Sequence, residues 1–329
     1  MSDDEKLVAS LIALLEAGTT PWRREWQSGS SGHHCNLLTG RPYRGANPVL
    51  LSLGMPLRGS SLPFWCGFAE AKTHGLVPRR GSKAIHVLQP QWRSSATAAN
   101  AAGNQALTPA EAADSSVAEA SAGESNAAVP SAARRWISYR ALALFNAADL
   151  CGQSLSALIR QRQQQAVQQQ RPEPERLAAA EAALSSWPVP VQFGGDRACY
   201  LPGPDRIALP ARSAFDSAPS LYATWAHEAI HSSGHSSRLA RDLSGGMGES
   251  GDGGRAYARE ELVAELGAVL LGDRLEIGSA MANHAAYINH WLELLRQSPR
   301  QLIGVLADAR RAADLIAPEA PLADDESPS

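Results

Sequence analysis

The chain has 329 residues, which predicts two domains, and its content of 44% hydrophobic and 19% charged residues is ordinary for a globular protein. A formal net charge of −3 excludes a protein whose whole surface binds nucleic acid, so DNA binding would have to come from a local basic patch. The four cysteines form no CxxC pair, so we expect reduced thiols. No basic leader precedes an apolar run, and no apolar stretch approaches about 18 residues. We therefore expect a cytoplasmic protein with no membrane partner.

The chain begins with a predicted amphipathic helix over residues 3–17. The segment after this helix places two tryptophans around two arginines, namely Trp22, Arg23, Arg24 and Trp26. Aromatic rings stack on unpaired bases and arginines bind phosphates, so this segment is a candidate for contact with single-stranded DNA. The alternative is a loop that folds its tryptophans onto the core, which we expect for one of the two.

Two further basic segments precede residue 94. The first is a turn-rich loop that carries Arg41, Tyr43, Arg44 and Asn47, and the second is a compact turn that carries Arg79, Arg80 and Lys83. Residues 1–94 contain 11 Lys and Arg against 6 Asp and Glu, and aromatic residues lie among them. With stacking platforms and no obvious recognition helix, this pattern favours single strands over duplex DNA; a solvated basic face is the alternative.

Short elements are predicted around these segments. We expect a helical turn at 49–53, a strand at 64–68 that leads into a helix at 69–74, and a strand at 84–88.

The middle of the chain changes in composition. Residues 95–133 are rich in Ala, Ser and Asn and poor in large apolar side chains, which predicts a disordered insertion. A strand at 134–146 should return to the first domain, and the Gln- and Ala-rich residues 153–187 read as a linker. Three short strands of a small sheet are then predicted at 189–193, 198–202 and 206–210.

A HExxH pentapeptide, His227 to His231, follows this sheet. The surrounding apolar spacing predicts a helix with a serine cap at Ser217 or Ser220. On a helix, side chains at i and i+4 share one face, so two imidazoles can bind one Zn²⁺. Glu228 occupies the position of a metallopeptidase general base. Without structural context the motif could still be two unrelated histidines on a surface helix.

A second helix is predicted over residues 257–271. Glu261 and Glu265 lie at i and i+4 on one face, so one can bind the metal while the other orients a histidine, and Glu260 is a further alternative. His235 is a rival ligand, although we expect it to make local hydrogen bonds, and it or Tyr257 could stabilise an oxyanion. A solvated acidic helix start is the alternative reading of the glutamates.

The remaining segments have simpler predictions. Residues 244–254 are expected to be a flexible, glycine-rich loop between the two metal helices. Two helices, at about 279–297 and 300–315, should complete the domain, and residues 317–329 form an acidic, flexible tail.

Residues 227–241 followed by 257–268 resemble the C-terminal zincin domain of the ArdC family, the antirestriction proteins of conjugative plasmids and related mobile elements. The basic segments between Trp22 and Lys83 are similar, in order and spacing, to that family's N-terminal single-stranded-DNA-binding domain. The resemblance implies an α+β protein with two domains. A small mixed α/β domain at 1–152 would be followed by a mostly helical, zincin-like metallopeptidase domain with a small sheet at 188–316.

The resemblance also implies a ligand set. His227, His231 and a downstream glutamate, carried over here as Glu261, would bind one Zn²⁺ per chain, a site that Mn²⁺ or Co²⁺ can also occupy. Glu228 would act as the base in peptide hydrolysis. We therefore expect a zinc-dependent, metallopeptidase-like antirestriction protein that binds single-stranded DNA and cleaves an unidentified protein or peptide. The alternative is a non-proteolytic protein that coats entering DNA and keeps a structural or vestigial zinc site.

Overall fold

The computed structural model describes residues 12, 16, 33–55, 58–94, 135–245, 251–278, 291, 296 and 301–319. The chain divides into two compact units, with boundaries after Val87 and after Ala141. The smaller unit contains, among the residues described, the outer parts of two long strands. The larger unit contains the remaining elements and the candidate site.

The first part of the chain forms a mixed sheet with helices at its connections. Helices α1 and α2 span Asn47–Gly54 and Phe68–Thr73. The strands are β1 (Cys35–Asn36), β2 (Phe64–Gly67), β3 (Val77–Pro78), β4 (Ile85–Ser94), β5 (Arg135–Asn146) and β6 (Leu150–Cys151). The main sheet has the order β1-β2-β5-β4, with β1 and β2 parallel and β2 and β5 antiparallel, whereas β3 pairs with β6 separately. These bounds confirm the predicted strand–helix unit at 64–74 and the returning strand at 134–146.

Strand β2 is buried on both of its faces. Phe64 and Cys66 point into a core with Leu37, Leu76 and Leu150. Trp65 points the other way and is also fully buried, and its indole N–H donates to Nδ1 of His34 at 3.1 Å. The hydrogen bond satisfies a polar group that would otherwise be costly to bury.

The predicted linker at 153–187 forms two helices, α3 (Leu155–Gln169) and α4 (Glu173–Ser185). Arg162 of α3 is buried and donates to the carbonyl oxygens of Leu37 and Leu38. Arg176 of α4 donates to the carbonyl oxygen of Glu276. Each helix is therefore anchored by one buried arginine, despite its polar composition.

The C-terminal part consists of a three-stranded sheet and long helices. Strands β7 (Val191–Gly195), β8 (Cys199–Leu201) and β9 (Arg206–Pro210) have the order β7-β9-β8, with β7 parallel and β8 antiparallel to β9. The helices are α5 (Ala218–Ser233), α6 (Gly251–Leu275) and α7 (Gln301–Ile316). No helix in the described part of the chain is both long and apolar enough to cross a membrane.

Helix α5 begins and ends where its sequence signals predict. Ser217 caps its start, because its hydroxyl accepts a hydrogen bond from the backbone N–H of Ser220 at 3.2 Å. Gly234 lies at its C-terminal cap. The three strands before it and the helix at 300–315 are also confirmed within one or two residues.

The predicted C-terminal boundary of the loop at 244–254 was wrong, because α6 already begins at Gly251. A Cβ atom on Gly245 would lie 2.3 Å from the carbonyl oxygen of Gly253 and 2.6 Å from the backbone nitrogen of Tyr257. Close backbone packing there supports a helical start that the glycines alone would disfavour. Residues 246–250, most of the predicted helices at 3–17 and 279–297, the insertion at 95–133 and residues 320–329 lie outside the described residues.

Helices α5 and α6 pack closely where a glycine of α6 faces an isoleucine of α5. A Cβ atom on Gly267 would lie 2.8–3.0 Å from three side-chain carbons of Ile230. Ile230 is fully buried. A larger residue at position 267 would therefore force the two helices apart.

The substitution Gly267→Ala tests this contact. The added methyl group gains up to about 1 kcal/mol in helix propensity but overpacks the core, which typically costs about 1–3 kcal/mol. We expect a net loss in the free energy of unfolding, measured by urea denaturation of the metal-free protein. Gly304→Ala in α7 is the matched control, since its Cβ would meet only Arg259 at an ordinary 3.8 Å, and it should be neutral or stabilising. Equal stabilisation by both substitutions would contradict the close approach.

Candidate metal centre

Helix α5 places the two histidines of the HExxH motif on one face, one turn apart. The Nε2 atoms of His227 and His231 lie 3.1 Å from each other, and their rings are at 80°. Both imidazoles are largely buried. Two nitrogens that converge at this distance share either a proton or a cation.

Glu261 of α6 completes the cluster. Its Oε2 atom lies 3.7 Å from Nε2 of His227, and its Oε1 atom lies 3.6 Å from Nε2 of His231. Among the described residues, these three side chains form a group that could hold a metal ion, with one donor atom from each within 4.8 Å of the others. In a tetrahedral site with metal–ligand bonds of about 2.0–2.1 Å, donors stand about 3.3–3.4 Å apart. The donor set and its spacing therefore fit a divalent cation.

The other two glutamates of α6 face the far sides of the imidazoles. Oε1 of Glu260 lies 3.1 Å from Nδ1 of His231, which is hydrogen-bonding distance. Oε2 of Glu265 lies 3.9 Å from Nδ1 of His227. Glu260 is thus placed to orient His231, while Glu265 lies beyond hydrogen-bonding distance of His227. Glu261 faces the atoms that would bind the cation.

The electrostatic field of this cluster favours positive charge. Burial lowers the pKa of His231, but the hydrogen bond with Glu260 and the charges of Glu261, Glu260 and Glu228 outweigh it and raise the pKa to about 9. Burial raises the pKa of Glu261, but its contacts with His227 and His231 and a hydrogen bond with Tyr257 lower it to about 2. A cation bound between these groups would take over the role of the proton.

Glu228 directly follows the first histidine of the motif. It is 7% exposed. Burial raises the pKa of the Cys199 thiol on β8, and the negative charge of Glu228 adds to this shift. Helix α5 packs against β8, and the charge of Glu228 thus acts on a side chain of that strand.

Of the two candidates for oxyanion stabilisation, one lies beside the cluster. Tyr257 hydrogen-bonds to Glu261 one helical turn away. His235 lies outside the metal-binding group: its Nδ1 atom is 2.8 Å from the Ser237 hydroxyl and accepts from the Ser237 N–H at 3.2 Å. The rival ligand thus has a local hydrogen-bonding role.

Sequence reasoning assigned no role to Arg241, whose guanidinium donates to both carboxylate oxygens of Glu260 at 2.8 Å. The contact joins residues 19 positions apart in the chain. Spacing alone gave no signal for it.

The basic residues expected to bind DNA differ in their surroundings. Arg41, Arg79, Arg80 and Lys83 are exposed, whereas Arg44, Asn47 and Tyr43 are partly buried. The Tyr43 hydroxyl donates to the carbonyl oxygen of Trp65, and burial raises the pKa of this phenol. Nε of Arg79 donates to the carbonyl oxygen of Leu150. Trp22, Arg23, Arg24 and Trp26 lie outside the described residues.

Comparison with known families and structures covers nearly the whole chain. Residues 3–130 match the family model of the N-terminal domain of anti-restriction factor ArdC, and residues 178–308 match that of zincin-like metallopeptidases. Two crystal structures of the antirestriction protein ArdC from plasmid R388 are similar at 27% identity. The metal-free structure gives a TM-score of 0.61 over 95% of this chain and 96% of that chain. The Mn(II)-bound structure gives 0.60 over 96% and 97%.

Two curated relatives extend the comparison. The chain is 31% identical over 315 residues to an Escherichia coli protein named DNA primase TraC, of which it spans 27% of the length. It is 28% identical over 313 residues to an uncharacterized protein, y4eC, of Sinorhizobium fredii, of which it spans 90%. With an ArdC N-terminal domain, a zincin-like metallopeptidase domain and the fold of the ArdC structures in one chain, this protein belongs to the ArdC family.

Proposed function

We propose that this protein is a metal-dependent peptide hydrolase of the antirestriction type, which also binds single-stranded DNA. The observation that carries the proposal is the convergence of His227, His231 and Glu261 within 4.8 Å, with the buried Glu228 beside them. Three protein donors with a neighbouring carboxylate are the arrangement of a catalytic metal site rather than of a closed structural one.

The roles of the residues follow from their positions. His227, His231 and Glu261 would hold the cation. When bound, a divalent cation there supplies Lewis-acid chemistry, because it lowers the pKa of a coordinated water towards about 7 and polarises a carbonyl group. Glu228 accepts the proton of the attacking water and returns it to the departing amine.

The metal is proposed to be zinc, with manganese or cobalt as replacements. Two imidazoles and one carboxylate suit zinc, and the match to zincin-like metallopeptidases supports the same choice. The Mn(II)-bound ArdC structure supports manganese as an occupant of such a site. Nitrogen and oxygen donors generally bind manganese more weakly than cobalt or zinc, and metal availability and site geometry also decide which metal is bound.

Strand β8 offers a place for an extended peptide. It lies at one end of the order β7-β9-β8, and within the described sheet it pairs only with β9. Cys199 on this strand lies near Glu228. A peptide that adds to this edge through backbone hydrogen bonds would bring a carbonyl group next to the cluster.

Single-stranded DNA is the proposed ligand of the N-terminal part. The exposed Arg41, Arg79, Arg80 and Lys83 supply positive charge. The partly buried Tyr43 and Arg44 lie on the same loop as Arg41, and Asn47 begins α1 directly after it. The match to the ArdC N-terminal domain supports this assignment. Cytoplasmic action on entering DNA is part of the proposal.

A second candidate function is DNA protection without proteolysis. The names of the similar proteins favour this second function. They describe an antirestriction protein and a DNA primase, and none of them names a protein substrate. In that case the metal centre would stabilise the fold only.

Metal binding is the first prediction. Wild type should bind one divalent cation per chain, and saturating metal at 100 times its dissociation constant should stabilise the fold by about 2.7 kcal/mol. His231→Ala should lose both effects, because it removes one converging Nε2 donor. His235→Ala is the matched control and should retain them. Elemental analysis and thermal unfolding with and without a chelator measure the outcome, and metal retention by His231→Ala would contradict the assigned ligands.

The substitution Glu228→Gln separates the two functions. It removes the base and keeps the size of the side chain, so metal content and DNA binding should stay at wild-type levels. Peptide hydrolysis should fall by about 10²–10⁴-fold, the usual contribution of general base catalysis. Under the first proposal, antirestriction measured by transfer into a restricting recipient should fall with it. Full antirestriction by this variant would favour the protective binder.

Salt dependence tests the DNA ligand. Removing two phosphate contacts with the double substitution Arg80→Ala and Lys83→Ala should weaken binding to an oligonucleotide and reduce the slope of log K against log salt by about 0.7 for each contact. Arg206→Ala, an exposed arginine of β9, is the control and should leave the slope unchanged. An equal effect of both changes would argue against a local basic patch.

A further inference from the structure

We propose that Arg241 is a positioning residue of the metal centre, which holds Glu260 against His231 and thereby keeps the metal-facing nitrogen of this histidine in place. The inference rests on the proposed metal-binding function of the cluster. It concerns the affinity and geometry of the site rather than the reaction.

The guanidinium of Arg241 is buried and makes four hydrogen bonds. Nε donates to Oε2 of Glu260 and Nη2 donates to Oε1, both at 2.8 Å. Nη1 donates to the Ser233 hydroxyl at 2.9 Å, and Nη2 also donates to the carbonyl oxygen of Ile230 at 2.8 Å. The side chain is 5% exposed. It therefore links the last turn of α5 to α6 at the level of the cluster.

Glu260 transmits this fixed position to the histidine. The Oε1 atom that accepts from Arg241 also lies 3.1 Å from Nδ1 of His231. When Nδ1 carries the proton and donates to this carboxylate, Nε2 keeps its lone pair for a cation, and the ring cannot turn away. Arg241, Glu260 and His231 thus form a continuous chain of contacts that ends at the metal-facing nitrogen.

Arg241 also neutralises the buried carboxylate of Glu260, whose burial without a partner would be unfavourable. Glu260 is 5% exposed and shares the site with the buried carboxylates Glu228, Glu261 and Glu265. A buried carboxylate without a partner is strongly unfavourable, and the bidentate guanidinium contact holds both of its oxygens at once. Without Arg241, Glu260 would be free to turn and would release Nδ1 of His231.

Gly234 gives independent support for the importance of this position. Its φ of −77° is accessible to any residue, so backbone conformation does not require glycine. A Cβ atom there would lie 2.9 Å from Nη2 and 3.1 Å from Cζ of Arg241. It would also lie 3.0 Å from Cδ2 of Leu243, so a larger residue at position 234 would push on both side chains, and glycine leaves the guanidinium its place.

The neighbouring Arg238 distinguishes positioning from general stabilisation. It lies in the same irregular segment, donates to the carbonyl oxygen of Ser232 at 2.8 Å and pairs with Asp205 at 3.0 Å. Its guanidinium also lies over the Trp187 ring. It anchors the segment to α5 as Arg241 does, but its described contacts do not include the glutamates of α6. Arg238→Gln is therefore a matched control.

The experiment compares four variants of the full chain, namely Arg241→Gln, Arg241→Lys, Gly234→Ala and Arg238→Gln. The dissociation constants for Zn²⁺ and Mn²⁺ are measured by competition with a chelator, and the visible spectrum is recorded with Co²⁺. Urea unfolding of the metal-free proteins reports stability separately. None of these readouts depends on peptide hydrolysis or DNA.

Arg241→Gln should weaken metal binding by about 10–100-fold, the usual effect of losing an outer partner of a ligand, and should change the Co²⁺ spectrum. Arg241→Lys should restore binding in part, because it keeps the charge but loses the bidentate geometry. Gly234→Ala should weaken binding in the same direction. Arg238→Gln should lower the stability of the metal-free protein and leave the dissociation constants unchanged.

Wild-type affinity and spectrum in Arg241→Gln would overturn the inference and leave the metal centre intact. An equal loss of affinity in Arg238→Gln would overturn it as well, because the effect would then follow from general destabilisation. If Arg241→Gln does not fold, Gly234→Ala decides alone, and its wild-type affinity would contradict the proposal. Absence of metal binding in the wild type would instead reject the proposed function, and the inference with it.

Discussion

The approach of α5 to α6 at Ile230 and Gly267 is the constraint on which the candidate site depends. Both histidines lie on α5 and the glutamates lie on α6, so the separation of the helices sets every distance between them. With no side chain at position 267, the Ile230 side chain packs directly on the α6 backbone. The result is that one carboxylate of α6 lies within 3.7 Å of both Nε2 atoms. Interiors packed this closely transmit small changes in volume to neighbouring groups.

The same two helices place carboxylates on both sides of the imidazole rings. Glu261 faces the converging nitrogens, while Glu260 and Glu265 lie behind the rings. Several buried carboxylates close together are unfavourable unless a positive charge lies among them. The raised pKa of His231 and the lowered pKa of Glu261 both reflect this preference for a positive charge. Arg241 supplies a permanent positive charge next to Glu260. The site is thus built for a cation by both geometry and field.

Sequence reasoning went furthest where local rules apply. The HExxH spacing, the Ser217 cap and the helical periodicity predicted α5 and the pairing of its histidines, because each signal acts within a few residues. The choice among Glu260, Glu261 and Glu265 depends on how α6 is rotated against α5, and spacing along one helix does not determine this. The early start of α6 was missed for a similar reason, since a contact of Gly245 with Gly253 overrides the low helix propensity of glycine. In the N-terminal part, local patterns predicted β2, β5 and the start of β4 but not the two-residue strands β1, β3 and β6. Composition did not reveal that the Tyr43 hydroxyl is used in a contact with the backbone of Trp65.

Anomalous diffraction from a crystal grown with Mn²⁺ or Zn²⁺ tests the central claim most directly. We expect one peak between Nε2 of His227, Nε2 of His231 and a carboxylate oxygen of Glu261, with bonds of about 2.0–2.2 Å. Glu260 should then contact Nδ1 of His231 without reaching the ion. A peak bound by Glu260 or Glu265 in place of Glu261, or a peak away from the two histidines, would contradict the account.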